Sequence, residues 1–119
     1  MAQAELERIS QLGLLDNGEI KQFHMLLASC IRRYLTAKYR FPAFALTTTE
    51  LKRSMTDFGV DRWQARLVGG LLTESDAVNF AQYVPARARC EQNLEMAYQI
   101  VDAADPAIEQ RAEAAPATA

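Results

Sequence analysis

Apolar residues recur along most of this chain at intervals of three and four, the spacing that gathers them on one face of an α-helix. Leu6, Ile9 and Leu12 predict a short first helix from Ala2 to Leu12, interrupted at Gly13. Asp16-Asn17-Gly18 is turn chemistry, and Asp16 or Asn17 is placed to cap a long second helix. In that helix Ile20, Phe23, Leu27, Cys30 or Ile31, Tyr34 and Leu35 form one stripe, the strongest in the chain. It is expected to end near Tyr39, because Pro42 disfavours helical geometry at Phe41 and removes a donor.

Phe41-Pro42-Ala43-Phe44-Ala45 is too rich in aromatics for a free linker and is expected to pack on the core. Thr47-x-x-Glu50 is a capping box that starts a helix through about Phe58, with Leu51, Met55 and Phe58 inward and Lys52 and Arg53 outward. Gly59 ends it. Asp61 can cap the next helix, whose Val60, Trp63, Leu67, Val68, Leu71 and Leu72 are read as core, with Arg62 and Arg66 beside them. Gly69-Gly70 inside that run costs about 1 kcal/mol per glycine relative to alanine, and close packing is the expected compensation. From Glu74 the pattern fits neither period, and a helical turn followed by an extended stretch is predicted through Tyr83. Pro85 opens the last helix, with Cys90, Leu94, Ala97 or Tyr98 and Val101 buried, to about Ala104. Pro106 closes it.

The expected fold is therefore all-α: a compact bundle of about five helices in one domain over residues 1–105, followed by a disordered Ala/Glu-rich tail over 106–119. Its predicted core combines Phe23, Leu27, Ile31, Tyr34, Leu35, Leu51 and Phe58 with Trp63, Leu67, Leu71, Phe80, Leu94 and Val101. Truncating Tyr34 or Trp63 in such a core is expected to cost about 3 to 5 kcal/mol.

Composition changes this picture in three places. The net charge of −2 conceals a basic middle: from Lys21 to Arg66 there are nine Lys or Arg against Glu50, Asp57 and Asp61, a local +6. Such a surface suits an acidic partner, nucleic acid or phospholipid head groups, or is merely solvated. Cys30 and Cys90 are sixty residues apart without a CxxC or clustered histidine, which predicts no metal site and two small core residues, either reduced thiols or a single disulfide. No run approaches the ~20 apolar residues that span a bilayer, and Met1 to Gln11 lacks the order of a signal peptide.

Candidate chemistry is sparse. His24 is the sole histidine and has no sequence-local Ser, Cys or Asp relay, so a satisfied, partly buried side chain is expected rather than a base. The carboxylate pairs Glu5 and Glu7, Glu74 and Asp76, and Glu91 and Glu95 fall on polar faces or at helix starts, where they favour the helix dipole. No catalytic or cofactor-binding residue is assigned, and the chain is not expected to be an enzyme. A second reading places Thr47–Leu72 as a helix-turn-helix-like pair around Asp57-Phe58-Gly59-Val60, with Arg62, Gln64 and Arg66 facing DNA and Val78–Tyr83 as a wing. Little other polar surface supports it.

The stretches "GEIKQFHMLLASCIRRYLTAKYRFPAFALTTTEL" and "LLTESDAVNFAQYVP" carry a resemblance. An aromatic-rich helix ending in Arg32-Arg33-Tyr34-Leu35, the box Thr47-Thr48-Thr49-Glu50-Leu51, and Asp76-Ala77-Val78-Asn79-Phe80-Ala81 together resemble the cytoplasmic helical domain of bacterial Bat (aerotolerance)-type membrane proteins and their relatives. The similarity covers roughly Leu14 to Val101, with His24 where a second aromatic is expected and Asn79 where a lysine is common. The resemblance implies a non-enzymatic docking domain at the inner face of the bacterial membrane, with a MoxR-type AAA+ ATPase or a von Willebrand factor A protein as partner. The candidate partner-binding residues are Arg32, Arg33, Lys52, Arg53, Arg62 and Arg66.

Overall fold

The longest apolar stripe forms the central helix. A computed structural model describes residues 2–40 and 42–102. Its elements are α1 (Ala2–Gln11), α2 (Ile20–Tyr39), a 3-10 turn at Ala43–Ala45, α3 (Thr48–Ser54), a second 3-10 turn at Met55–Phe58, α4 (Arg62–Phe80) and α5 (Arg87–Asp102). These make the expected all-α bundle, with no strand among the described residues. α2 buries Phe23, Leu27, Cys30, Ile31 and Leu35 against α1, α4 and α5. Each of the large apolar side chains among them stabilises the fold by about 1.5 to 3 kcal/mol through removal from water. α4 and α5 run antiparallel, because the Gln64 amide near the start of α4 donates to the Ile100 carbonyl while Glu74 further along meets Arg89.

The structure departs from the sequence-based expectation at several places. Neither Asp16 nor Asn17 caps α2; Glu19 precedes it without a side-chain cap bond, and Asp16 pairs with Arg87 at 2.6 Å. α4 does not break at Glu74 but continues to Phe80, and the chain then turns through Gln82 at φ 59°. Three expected core aromatics are exposed: Phe58 at 41 %, Trp63 at 59 % and Phe80 at 82 %. For Trp63 and Phe80 the reason is the phase of α4. Its buried positions centre on Gln64, Val68, Leu71, Ser75 and Val78, spaced four-three-four-three, with Gly69 and Leu72 buried beside them, and Trp63 and Leu67 lie on the other edge of that stripe. Phe80 follows Arg62 by five full turns and so shares its solvent face. Tyr34, Leu67 and Leu94 are partly buried against the core, and the remaining expected core residues are buried within it. The assigned tail, 106–119, and the expected helix end at Ala104 lie outside the described residues.

A polar chain crosses this interior. His24 is fully buried, with Nδ1 2.9 Å from the Ile20 carbonyl and Nε2 3.0 Å from Asn93 Nδ2. Asn93 Nδ2 also donates to Glu74 Oε2 at 2.9 Å, and Arg89 clasps the same carboxylate from the surface. An amide nitrogen only donates, so His24 Nε2 accepts, and the hydrogen sits on Nδ1, facing the carbonyl. The opposite amide orientation would set Asn93 Oδ1 against the Glu74 carboxylate. As oriented, Oδ1 is buried without a hydrogen-bond partner.

Candidate interaction face

The basic side chains separate into two groups once the chain is folded. Arg32 points into the bundle, where its guanidinium donates to the carbonyls of Ala43 and Leu46, the latter at 2.8 Å, and to Thr48 Oγ1 at 3.3 Å. Burial pushes this guanidinium below its ordinary value, and Asp76 draws it back up. Arg32 is thus the strut that fastens the apolar connector and the start of α3 to α2. Arg33 is taken by Glu5 of α1 in an ion pair whose hydrogen bond raises it above its ordinary value. Arg32 is held by backbone carbonyls, and Arg33, though exposed, has its charge paired with Glu5.

The other four converge through local chemistry. The Thr47 hydroxyl accepts from the Glu50 amide at 3.2 Å and the Glu50 carboxylate accepts from the Thr47 amide at 2.9 Å, closing the capping box. These bonds hold the Glu50 carboxyl below its usual range. α3 then presents Lys52 and Arg53 outward before Gly59, at φ 89°, stops the 3-10 turn. Asp61 accepts from the amides of Trp63 at 3.0 Å and Gln64 at 3.3 Å, launching α4 with Arg62 and Arg66 exposed. Between α3 and α4 lies a shallow groove of about 470 Å³ lined by Lys52, Met55, Arg62, Ala65, Arg66, Gly69 and Gly70. Lys52 reaches across it to Thr73 Oγ1 at 3.4 Å. Arg53 stands outside the lining, on the exposed side of α3.

Ion pairing within the bundle leaves this face charged. Among the described residues the salt bridges employ Arg33, Arg87 and Arg89, and none employs Lys52, Arg53, Arg62 or Arg66. Asp61 and Glu50 lie close by but are committed to helix caps. Trp63, one turn before Arg66, adds exposed aromatic surface that the sequence pattern had assigned to the core. The four-three-four-three spacing of positions 64, 68, 71, 75 and 78 was the signal that would have exposed it, masked because two of its members are Gln and Ser.

The same geometry bears on other chemistries. Gln64, a candidate base-reading residue, is 2 % exposed with its amide on the Ile100 carbonyl. The proposed wing is helical at Val78–Phe80. Cys30 and Cys90 are free and buried, and burial, aided by Glu5, pushes the Cys30 thiol up to about 12. Among the described residues no three His, Cys, Asp or Glu side chains gather to hold a metal ion, and no helix is long and apolar enough to cross a membrane. No protein-family model, no curated protein and no solved structure matches this chain.

Proposed function

We propose that this domain is a non-enzymatic protein-interaction module that docks an acidic partner on its α3–α4 face. The observation that supports it best is the groove between Lys52, Arg62 and Arg66, whose charges have no ion-pair partner among the described residues, whereas Arg32 is held by carbonyls and Arg33 by Glu5. Each exposed ion pair contributes at most about 1 kcal/mol, so the charges steer and orient the partner while Trp63 supplies apolar contact. The resemblance to Bat-type domains rests on the motifs quoted above and suggests the setting: the cytoplasmic part of a membrane-anchored bacterial protein, docking to a MoxR-type AAA+ ATPase or a von Willebrand factor A protein.

The test is charge reversal. Lys52→Glu with Arg53→Glu, and separately Arg62→Glu with Arg66→Glu, should weaken capture of such an ATPase while circular dichroism and thermal melting show the bundle intact. Unchanged capture would refute the reading. The helix-turn-helix alternative is addressed by the same proteins: duplex DNA should bind no better than about 10⁻⁴ to 10⁻⁶ M at physiological salt. A DNA site bound orders of magnitude more tightly, and lost on Arg62→Ala, would replace docking with operator recognition.

A further inference from the structure

We infer that the occupant of the α3–α4 groove is an acidic helix that crosses α4 at Gly70 with its backbone held close, an inference that rests on the acidic-partner reading above.

Gly70 is the observation that goes beyond charge. It lies inside the 19-residue helix α4 and is absent from the positive-φ glycines, so its backbone is one that any L-residue adopts. A Cβ built there meets nothing within 4 Å, and the residue is exposed. Alanine would therefore suit the isolated fold better, since glycine in a helix interior sacrifices backbone entropy without any return. Its neighbour differs: a Cβ on Gly69 would stand 3.2 Å from Lys52 Cγ, so Gly69 is the seat on which the Lys52 stem lies. The chain's own packing explains Gly69 and leaves Gly70 to an approach from outside.

A second feature of the same face is also unfavourable for the domain alone. Arg62 and Arg66 are four residues apart on one helix, a like-charge spacing that destabilises helices, and neither has an ion-pair partner among the described residues. Carboxylates from an occupant lying along Arg62, Arg66 and Lys52 would offset that repulsion. Helical form follows from the surface itself. α4 has its backbone donors and acceptors closed within the helix, so an extended strand laid on it finds no backbone to pair with and leaves its own groups unsatisfied. A helix satisfies its own backbone, and an occupant passing over glycine approaches to the near end of helix-packing distances. Trp63, two turns from Gly70 on the same side and 59 % exposed, then flanks the crossing.

The experiment uses the full chain and a defined probe: a fluorescein-labelled peptide of about 20 residues, long enough to hold a helix in water, with glutamates at i and i+4 flanking an alanine face. A companion peptide of identical charge carries a central proline that breaks the helix. Fluorescence anisotropy at low ionic strength should show the helical peptide binding at least about tenfold more tightly than the proline peptide. Gly70→Leu and the Arg62→Glu, Arg66→Glu pair should each weaken binding by about tenfold or more. Gly70→Ala should raise the melting temperature by about 4 °C and weaken binding by less than Gly70→Leu does. If charge reversal abolishes binding while Gly70→Leu and the proline peptide behave as the originals, the helical occupant is overturned and the acidic-partner reading survives. If neither substitution matters, or the helical peptide fails to bind, both are overturned.

Discussion

Replacing Asn93 tests whether the buried polar chain holds the bundle together. Asn93→Ala removes the donor to His24 Nε2, which sits in a side chain with no exposed surface and no other partner for that atom. An orphaned buried acceptor costs about 2 kcal/mol. The same change removes one donor from Glu74, whose carboxylate keeps Arg89 through Nε at 3.0 Å and Nη2 at 2.6 Å, so that loss is about 1 to 2 kcal/mol. Against these stands the Asn93 Oδ1, already buried without a partner, whose removal returns about 1 kcal/mol. The net destabilisation is about 2 to 3 kcal/mol, or about 10 °C in melting temperature for a domain of this size. Urea unfolding followed by far-ultraviolet circular dichroism measures it. Asn93→Asp is the sharper probe: it sets a carboxylate against Glu74 and an acceptor against an acceptor at His24. It should be less stable than Asn93→Ala at neutral pH, with the gap narrowing on acidification as the new, buried carboxyl takes up a proton. An Asn93→Asp protein as stable as Asn93→Ala at neutral pH would refute the hydrogen-bond directions assigned to this network.

Trp63→Ala should cost about 1 kcal/mol or less because Trp63 is more than half exposed, whereas Leu27→Ala, wholly buried, should cost about 2 to 5 kcal/mol; comparable losses in denaturant titrations would contradict the phase of α4. Glu74 is held below the usual carboxyl range first by its hydrogen bond to Arg89. A depressed carboxyl adds stability that is present above its ordinary value and lost as pH falls through the folded one. Urea midpoints of the parent should therefore drop below about pH 4 more steeply than those of Glu74→Gln. Cys30 and Cys90 should label with a disulfide reagent only at the rate at which the bundle opens, both appearing together in denaturant; rapid labelling of either in the native protein would refute their burial.

What could be read from the sequence is what local chemistry decides. The Thr47 and Asp61 caps form as their spacing requires, since each is settled within four residues. The α2 stripe is equally plain because its buried members, His24 apart, are apolar. The phase of α4 was hidden for the converse reason: Gln64 and Ser75 are buried there because their side chains reach the carbonyls of Ile100 and Leu71, and the first of those lies on a helix 36 residues away in the chain. Hydropathy rewards Trp63 and Leu67 instead. The inward turn of Arg32 is hidden from the sequence for a related reason. Its surroundings are carbonyls of the connector at Ala43 and Leu46, and nothing in the local pattern announces that an apolar loop will offer acceptors to a helix. His24 is hydrogen-bonded as expected but fully rather than partly buried, and its partner Asn93 lies 69 residues on.

The proposed docking face at the α3–α4 end is distinguished by charge rather than by exposed apolar surface. α4 carries exposed aromatics at both ends, Trp63 near its start and Phe80 at its close, about 25 Å apart. Around Phe80 the connection adds Tyr83 and Val84, exposed at 44 % and 73 %, which makes this the more apolar of the two ends. Its neighbouring cations are spent, however: Arg87 bridges Asp16 and Glu91, and Arg89 holds Glu74. Such a patch offers apolar contact but no net charge to steer and orient an acidic partner. At the other end Lys52, Arg62 and Arg66 surround a groove with their charges intact, and Gly70 opens its floor without any packing return to the fold. Charge that repels itself and a glycine that weakens its helix are both unfavourable until something acidic and closely fitting arrives, and they occur together on this one face.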